Sequence, residues 1–159
     1  MKSHARILGA MALAMAGGVF AAGGGGGGGS SGGPAVVEDP LITSVKADIA
    51  KKDWLGAQSR LKQALADSPN NADYHNLLAY TTRKGPNPDM DFVFKHYNEA
   101  LRINPKHKGA HEYVGEAYLQ VGNLAKAKEH LAALDKICFF GCEEYSDLKK
   151  DIAEYEARK

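Results

Sequence analysis

The sequence lacks most of the features that would mark it at a glance as a catalyst, a nucleic-acid binder or a membrane protein. It contains no G-x-S-x-G, no H-E-x-x-H, no P-loop and no dinucleotide fingerprint. Its carboxylates form no pair that stands apart from ordinary surface Asp and Glu, so the chain reads as a non-enzyme without a cofactor. Charge of one sign is missing too. There are 20 Lys and Arg against 19 Asp and Glu in 159 residues. The signs are interspersed, which excludes a basic nucleic-acid footprint and a polybasic lipid-binding patch. Cysteine is reduced to two residues, neither near the N-terminus, which leaves no site for a lipid anchor there.

The one apolar run is short. Lys2 and Arg6 form a positive start without an acid, Ile7 to Phe20 are apolar or small, and Val19-Phe20-Ala21 ends the run on small residues. This is the three-part pattern of a signal peptide, and a cut after Ala21 is expected. A retained anchor would need about 20 strongly apolar residues, more than this Gly/Ala-rich run supplies. Loss of Lys2 and Arg6 leaves 18 basic residues against 19 acidic ones. Residues 22–40 follow as a linker, nearly all glycine from Gly23 to Gly33. Such a tract cannot bury a core and behaves as a flexible coil; it serves as a tether or as a tolerated expansion with no role.

What the chain does have is a period. Ala57, Leu61, Ala64 and Pro69 recur as Val93, Tyr97, Ala100 and Pro105, displaced by 36. Val93, Tyr97 and Ala100 recur as Ala127, Leu131 and Leu134 with a mean displacement of 34. His75, Leu78 and Ala79 recur as His111, Val114 and Gly115. One basic period of 34 covers these offsets if two extra residues sit in the second unit, and Gly85-Pro86-Asn87-Pro88 is where a loop would grow. Within each unit the apolar spacing is helical. Gly122-Asn123 and Lys52-Asp53 break units into two helices, and Pro69 and Pro105 close them.

A 34-residue helix–turn–helix with small residues at the helix crossing and a closing proline resembles the tetratricopeptide repeat (TPR). Val114-Gly115 stands for the family's Leu-Gly pair, Tyr118 for its Tyr and Ala127 for its Ala. Gly115 and Ala127 are expected to let the paired helices of a unit approach closely, with Tyr118 between them. His75 and His111 stand where the family often has Trp, and Thr82 replaces its Tyr. The resemblance implies an all-α solenoid of three repeats, at about 41–70, 71–106 and 107–139. Residues 140–159 follow as a C-terminal capping helix with the stripe Tyr145, Leu148, Ile152 and Tyr155. The segment from Cys138 to Lys149 also resembles the end of small exported TPR proteins of Gram-negative bacteria, which implies a periplasmic or secreted setting.

Cys138 and Cys142 are spaced C-x3-C. An even pair in an exported chain is expected to form a disulfide, fixing the angle of the capping helix. A redox couple or a soft-metal site, with His130 nearby, is the alternative chemistry. His107 and His111, four apart, offer two ligands but no third, which makes a weak metal site.

In the TPR family the first helix of each repeat lines a concave groove that binds peptides or partner helices. By that resemblance the groove residues here are Lys46, Asn76, Tyr80, Arg83, Glu112 and Glu116. TPR proteins that clamp a chaperone's terminal carboxylate use Lys, Asn and Arg at positions held here by Ile42, Leu77, Gly109 and Tyr113, which disfavours that activity. Two functions follow as expectations. The first is an envelope scaffold or adaptor for an unidentified protein or peptide, without nucleic-acid binding or membrane insertion after signal removal. The alternative is a copper or thiol carrier acting through the cysteines. A homo-oligomer through the solenoid ends is a further expectation.

Overall fold

The computed structural model describes residues 38–158. The signal segment at 1–21 and most of the linker therefore lie outside the described residues. Among the described residues seven helices follow one another: α1 (Pro40–Ala50), α2 (Trp54–Asp67), α3 (Ala72–Lys84), α4 (Met90–Ile103), α5 (Lys108–Gln120), α6 (Leu124–Ile137) and α7 (Glu143–Ala157). No described helix is long and apolar enough to cross a membrane.

Short polar side chains start the helices. A helix leaves its first N–H groups without partners, and an Asp or Asn just before it supplies the missing acceptor, worth about 1 kcal/mol. Asp53, Asp89 and Asn123 do this for α2, α4 and α6, accepting from Gly56, Phe92 and Lys126 at 3.0–3.1 Å. Asn71 and His107 do it for α3 and α5. The caps thus repeat with the apolar residues. Asp39 caps α1 and also accepts a 2.5 Å bond from the Tyr74 hydroxyl, which ties α1 to α3. Only α7 lacks a side-chain cap.

The turns inside the pairs α1–α2 and α5–α6 are three residues long, and the α3–α4 turn, residues 85–89, is five. In the two short turns one residue must be left-handed. Gly122 takes φ 80° in the second of them, and Lys52 takes φ 59° at the matching position of the first. The longer loop puts Asn87 at φ 54° instead.

Each helix packs on the next, α3 on α5 and α5 on α7. The result is two layers, α1, α3, α5 and α7 in one and α2, α4 and α6 in the other. The core is a series of apolar layers along the stack. Val45, Ala57, Leu61, Tyr74 and Leu78 form the first. Ala79, Val93, Tyr97, Val114 and Ala117 form the second. Ala127, Leu134, Cys138, Leu148 and Ile152 form the third. Burying one such Leu or Val contributes roughly 1.5–3 kcal/mol.

Gly115 differs from its expected role. A Cβ built there would lie 2.6 Å from Leu148 Cδ2, so the missing side chain makes room for α7, not for the paired α6. Tyr118 bridges outward, stacking on Phe94 of α4 at 4.6 Å and on His130 of α6 at 5.7 Å. Leu148 and Ile152 of α7 are buried in the third layer.

Candidate functional site

The residues of one layer converge on an open cleft of about 400 Å³. Ile42 and Lys46 come from α1; Asp73, Asn76 and Leu77 from α3; Gly109 and Tyr113 from α5; and Glu144 from α7. No residue of α2, α4 or α6 lines it. Ile42, Leu77 and Tyr113 give it an apolar floor, with polar groups at intervals. A Cβ at Gly109 would make ordinary van der Waals contact with Asn76 Nδ2 at 3.5 Å and with the His107 ring.

Asn76 is 5% exposed, and its Oδ1 is buried without a hydrogen-bond partner. A buried amide oxygen without a donor costs about 1–3 kcal/mol, so native structures rarely leave one unless a ligand or water serves it. His107 sits beside it at the start of α5. Its Nδ1 accepts from the Ala110 N–H at 3.1 Å, which puts the ring proton on Nε2; Nε2 lies 3.0 Å from Asp73 Oδ1 but, like Asn76 Oδ1, is buried without an aligned hydrogen bond. That contact, with help from Lys46, holds the Asp73 carboxyl below its usual range. Lys46 is exposed and ion-paired with Glu38.

The other sequence-derived groove residues gather at the α5 end. Tyr80 packs on Tyr113 with ring centroids 4.7 Å apart. Arg83 is 7% exposed and donates to Glu116 at 2.6 Å and to the Tyr97 hydroxyl at 3.4 Å. Its charge is thus committed inside the protein, and Lys84 adds a second cation 3.8 Å from Glu116. Glu112 is 8% exposed. Burial, followed by repulsion from Glu116, Asp147, Glu144 and Glu143, pushes its carboxyl up to about 8. Of the six residues, Lys46 and Asn76 line the cleft. Tyr80, Arg83, Glu112 and Glu116 do not line it, and of these Tyr80 packs on the lining residue Tyr113.

A second concavity of about 370 Å³ lies where Leu41, Arg60, Ala64 and Tyr74 meet. Gln63, Asp67 and Ser68 line it too; Arg60 pairs with Asp48 at 2.8 Å and Tyr74 with Asp39, and none of its lining residues holds a buried polar atom without a partner.

Cys138 and Cys142 are joined in a disulfide between α6 and α7. They and Glu144 are the only group of three close enough to share an ion among the described residues. With both sulfurs in the disulfide, no thiolate is available to a metal. The loop they close holds Phe139 and Phe140 at 85% and 96% exposure.

Among the described residues no group of histidines comes together as a metal site. Instead they form two matching pairs that sequence reasoning missed. His75 Nδ1 lies 2.7 Å from His96 Nδ1, and His111 Nδ1 lies 3.0 Å from His130 Nδ1. The outer nitrogens of His75 and His111 reach the carbonyls of Pro69 and Pro105 at 2.9 and 3.0 Å. The signal was present in the offsets. His75, His111 and the prolines are displaced by 36, and His96 and His130 by 34.

No protein-family model matches the chain, and no curated protein sequence does either. Solved structures do. The type III secretion translocator chaperone SycD of Yersinia enterocolitica superposes with a TM-score of 0.64 at 12% identity, over 74% of this chain and 82% of that one. PcrH, solved in complex with the chaperone binding region of PopD, gives 0.63 at 13% identity, over 74% and 90%. SycD with a peptide of the translocator YopD gives 0.61 at 15% identity, over 74% and 88%. The chain therefore has an all-α, TPR-like helical repeat fold.

Proposed function

We propose that this protein is a non-enzymatic scaffold that holds a peptide segment of a partner protein in the cleft lined by α1, α3, α5 and α7. The observation that carries the reading is the buried, unpartnered Asn76 Oδ1 beside an apolar floor. An extended segment supplies what the cleft lacks. Its apolar side chains cover Ile42, Leu77 and Tyr113, and a rotation of the Asn76 side chain, whose Oδ1 is buried, brings that oxygen to a backbone N–H of the segment. The fold likeness to SycD and PcrH, whose structures hold translocator segments, supports a protein ligand. The setting we propose is the bacterial envelope, supported by the signal-like residues 1–21 and by the disulfide, a bond that persists in oxidising compartments.

The test uses the full chain to select peptides from a random displayed library, followed by calorimetry on the selected peptides. Asn76→Ala is expected to weaken binding at least five-fold, and Leu77→Asp more, with helical content unchanged. Peptides that bind equally well to both variants would place the ligand elsewhere and sink this reading.

A further inference from the structure

Glu112 and Asn76 hold the same position in successive repeats, 36 residues apart. Both are more than nine-tenths buried. Both present acceptors that the protein does not serve: Asn76 through its orphaned Oδ1, Glu112 through a carboxylate that makes no ion pair. Arg83 and Lys84 at the end of α3 both pair with Glu116, one turn along α5 from Glu112. The charged groups that act on Glu112 most strongly are acids: Glu116 on its own helix, and Asp147, Glu144 and Glu143 on α7. Tyr113, its chain neighbour, lines the cleft and is held by Tyr80 from α3. Glu144 lines it from the other side.

A buried carboxyl surrounded by like charge stays protonated until a positive group arrives beside it, and a cation can then take the proton's place. A divalent cation fits poorly. Calcium takes six to eight oxygen ligands, and among the described residues no three acids here lie close enough to share an ion. A long cationic side chain fits better. Its stem lies along an aromatic face while its head meets the carboxylate, and an aromatic ring adds cation–π attraction.

We propose that the α5–α7 end of the cleft is a subsite for a Lys or Arg side chain of the bound segment, with Glu112 as its ion-pair partner and the Tyr113 ring as its shelf. This rests on the scaffold reading and names the chemistry of what the scaffold holds. Because Glu112 is largely protonated near neutrality, the incoming cation displaces its proton, and affinity rises with pH.

The probes are Nα-acetyl-arginine amide and Nα-acetyl-lysine amide, with Nα-acetyl-glutamine amide as the neutral control. Each is titrated into isotope-labelled full chain at pH 6.5 and 8.5 and followed by amide chemical shifts. The expected result is saturable shifts around Glu112, Tyr113 and Glu144 with the two cations, and at least ten-fold weaker binding of the glutamine compound. Binding should be several-fold tighter at pH 8.5. Glu112→Gln should weaken it at least five-fold, while Glu129→Gln, on the exposed face of α6, leaves it unchanged. Equal binding of the neutral control, no loss in Glu112→Gln, no pH dependence, or displacement by micromolar calcium would each overturn the proposal. If selected peptides need Asn76 yet carry no cation and ignore Glu112→Gln, the subsite fails while the scaffold stands.

Discussion

The paired histidines make the protein sensitive to acid in a way that can be worked out from their bonds. A carbonyl only accepts, so His75 donates to Pro69 through Nε2–H and its Nδ1 is bare. His96 must then donate through Nδ1–H. The same logic fixes His111 and His130. Burial first, then the facing imidazole, lowers His96 and His130 from 6.5 to about 4. A histidine held neutral in the fold takes its proton only near pH 4, whereas the unfolded chain takes it near 6.5. Between those values the unfolded state carries more protons, so this stability is full above pH 6.5 and is lost as pH falls toward 4.

The difference from 6.5 to about 4 converts at ~1.4 kcal/mol per pH unit to at most ~3.4 kcal/mol for each pair. Both rings are partly exposed, and solvent screening reduces this to about 1.5 kcal/mol each. About 3 kcal/mol in all, for a domain of this size, lowers Tm by about 10 °C between pH 7 and pH 4. Glu112 works in the opposite sense. Its raised carboxyl takes a proton more readily in the fold, so its contribution improves as pH falls from about 8 toward 4.5. The clean measurement is therefore a difference between wild type and the double variant His96→Asn, His130→Asn. The Asn amide still donates to the facing imidazole but does not titrate. Urea unfolding at half-unit steps from pH 7.5 to 4 should show the variant losing about 3 kcal/mol less than wild type over that range. Parallel curves would refute the assignment of the acid sensitivity to these pairs.

The disulfide closes a very short loop, so in the chain-entropy model the double variant Cys138→Ser, Cys142→Ser should lose only about 2 kcal/mol in chemical unfolding. A loss much larger than this would mean that the bond holds more than the α6–α7 joint. Lys52 sits left-handed where the matching turn has Gly122, a conformation that is costly for a residue with a Cβ. Lys52→Gly is expected to raise stability by about 0.5–1 kcal/mol, offset in part by the entropy glycine adds to the unfolded chain. A fall in Tm would show that the side chain of Lys52 contributes something the backbone does not reveal.

The helical repeat was legible because its signals are local and recur. Apolar faces, turn residues and closing prolines each follow from a few neighbouring positions, and a common offset makes weak matches reinforce one another. Even so, the role of Gly115 was misread. Its missing Cβ accommodates Leu148, 33 residues further on, and nothing near Gly115 says which helix will be the neighbour. The groove residues divide for the same reason. Asn76 and Arg83 are both polar side chains on α3, yet Arg83 is consumed by Glu116 and Tyr97 while Asn76 is left with an unserved oxygen. Register shows which residues share a face. Whether a polar group on that face is already satisfied depends on partners from other helices.

The histidine pairs show what the offsets were carrying besides core packing. At positions 75 and 111, where the TPR family often has Trp, this chain has a histidine that faces a second imidazole from the following helix. An indole is apolar over most of its surface, but two rings in contact must also settle their nitrogens. One proton lies between them, and the outer Nε2–H needs an acceptor. Pro69 and Pro105 supply it, because a proline that ends the helix still offers a carbonyl. The closing proline thus has two roles, stopping one helix and orienting the histidine of the next. His75, His96 and Pro69 recur together as His111, His130 and Pro105. Replacing either ring by an apolar side chain leaves the other's Nδ1 without its partner, so the two histidines of a pair are expected to change together, whereas the acceptor at 69 or 105 is a backbone carbonyl that any residue there supplies.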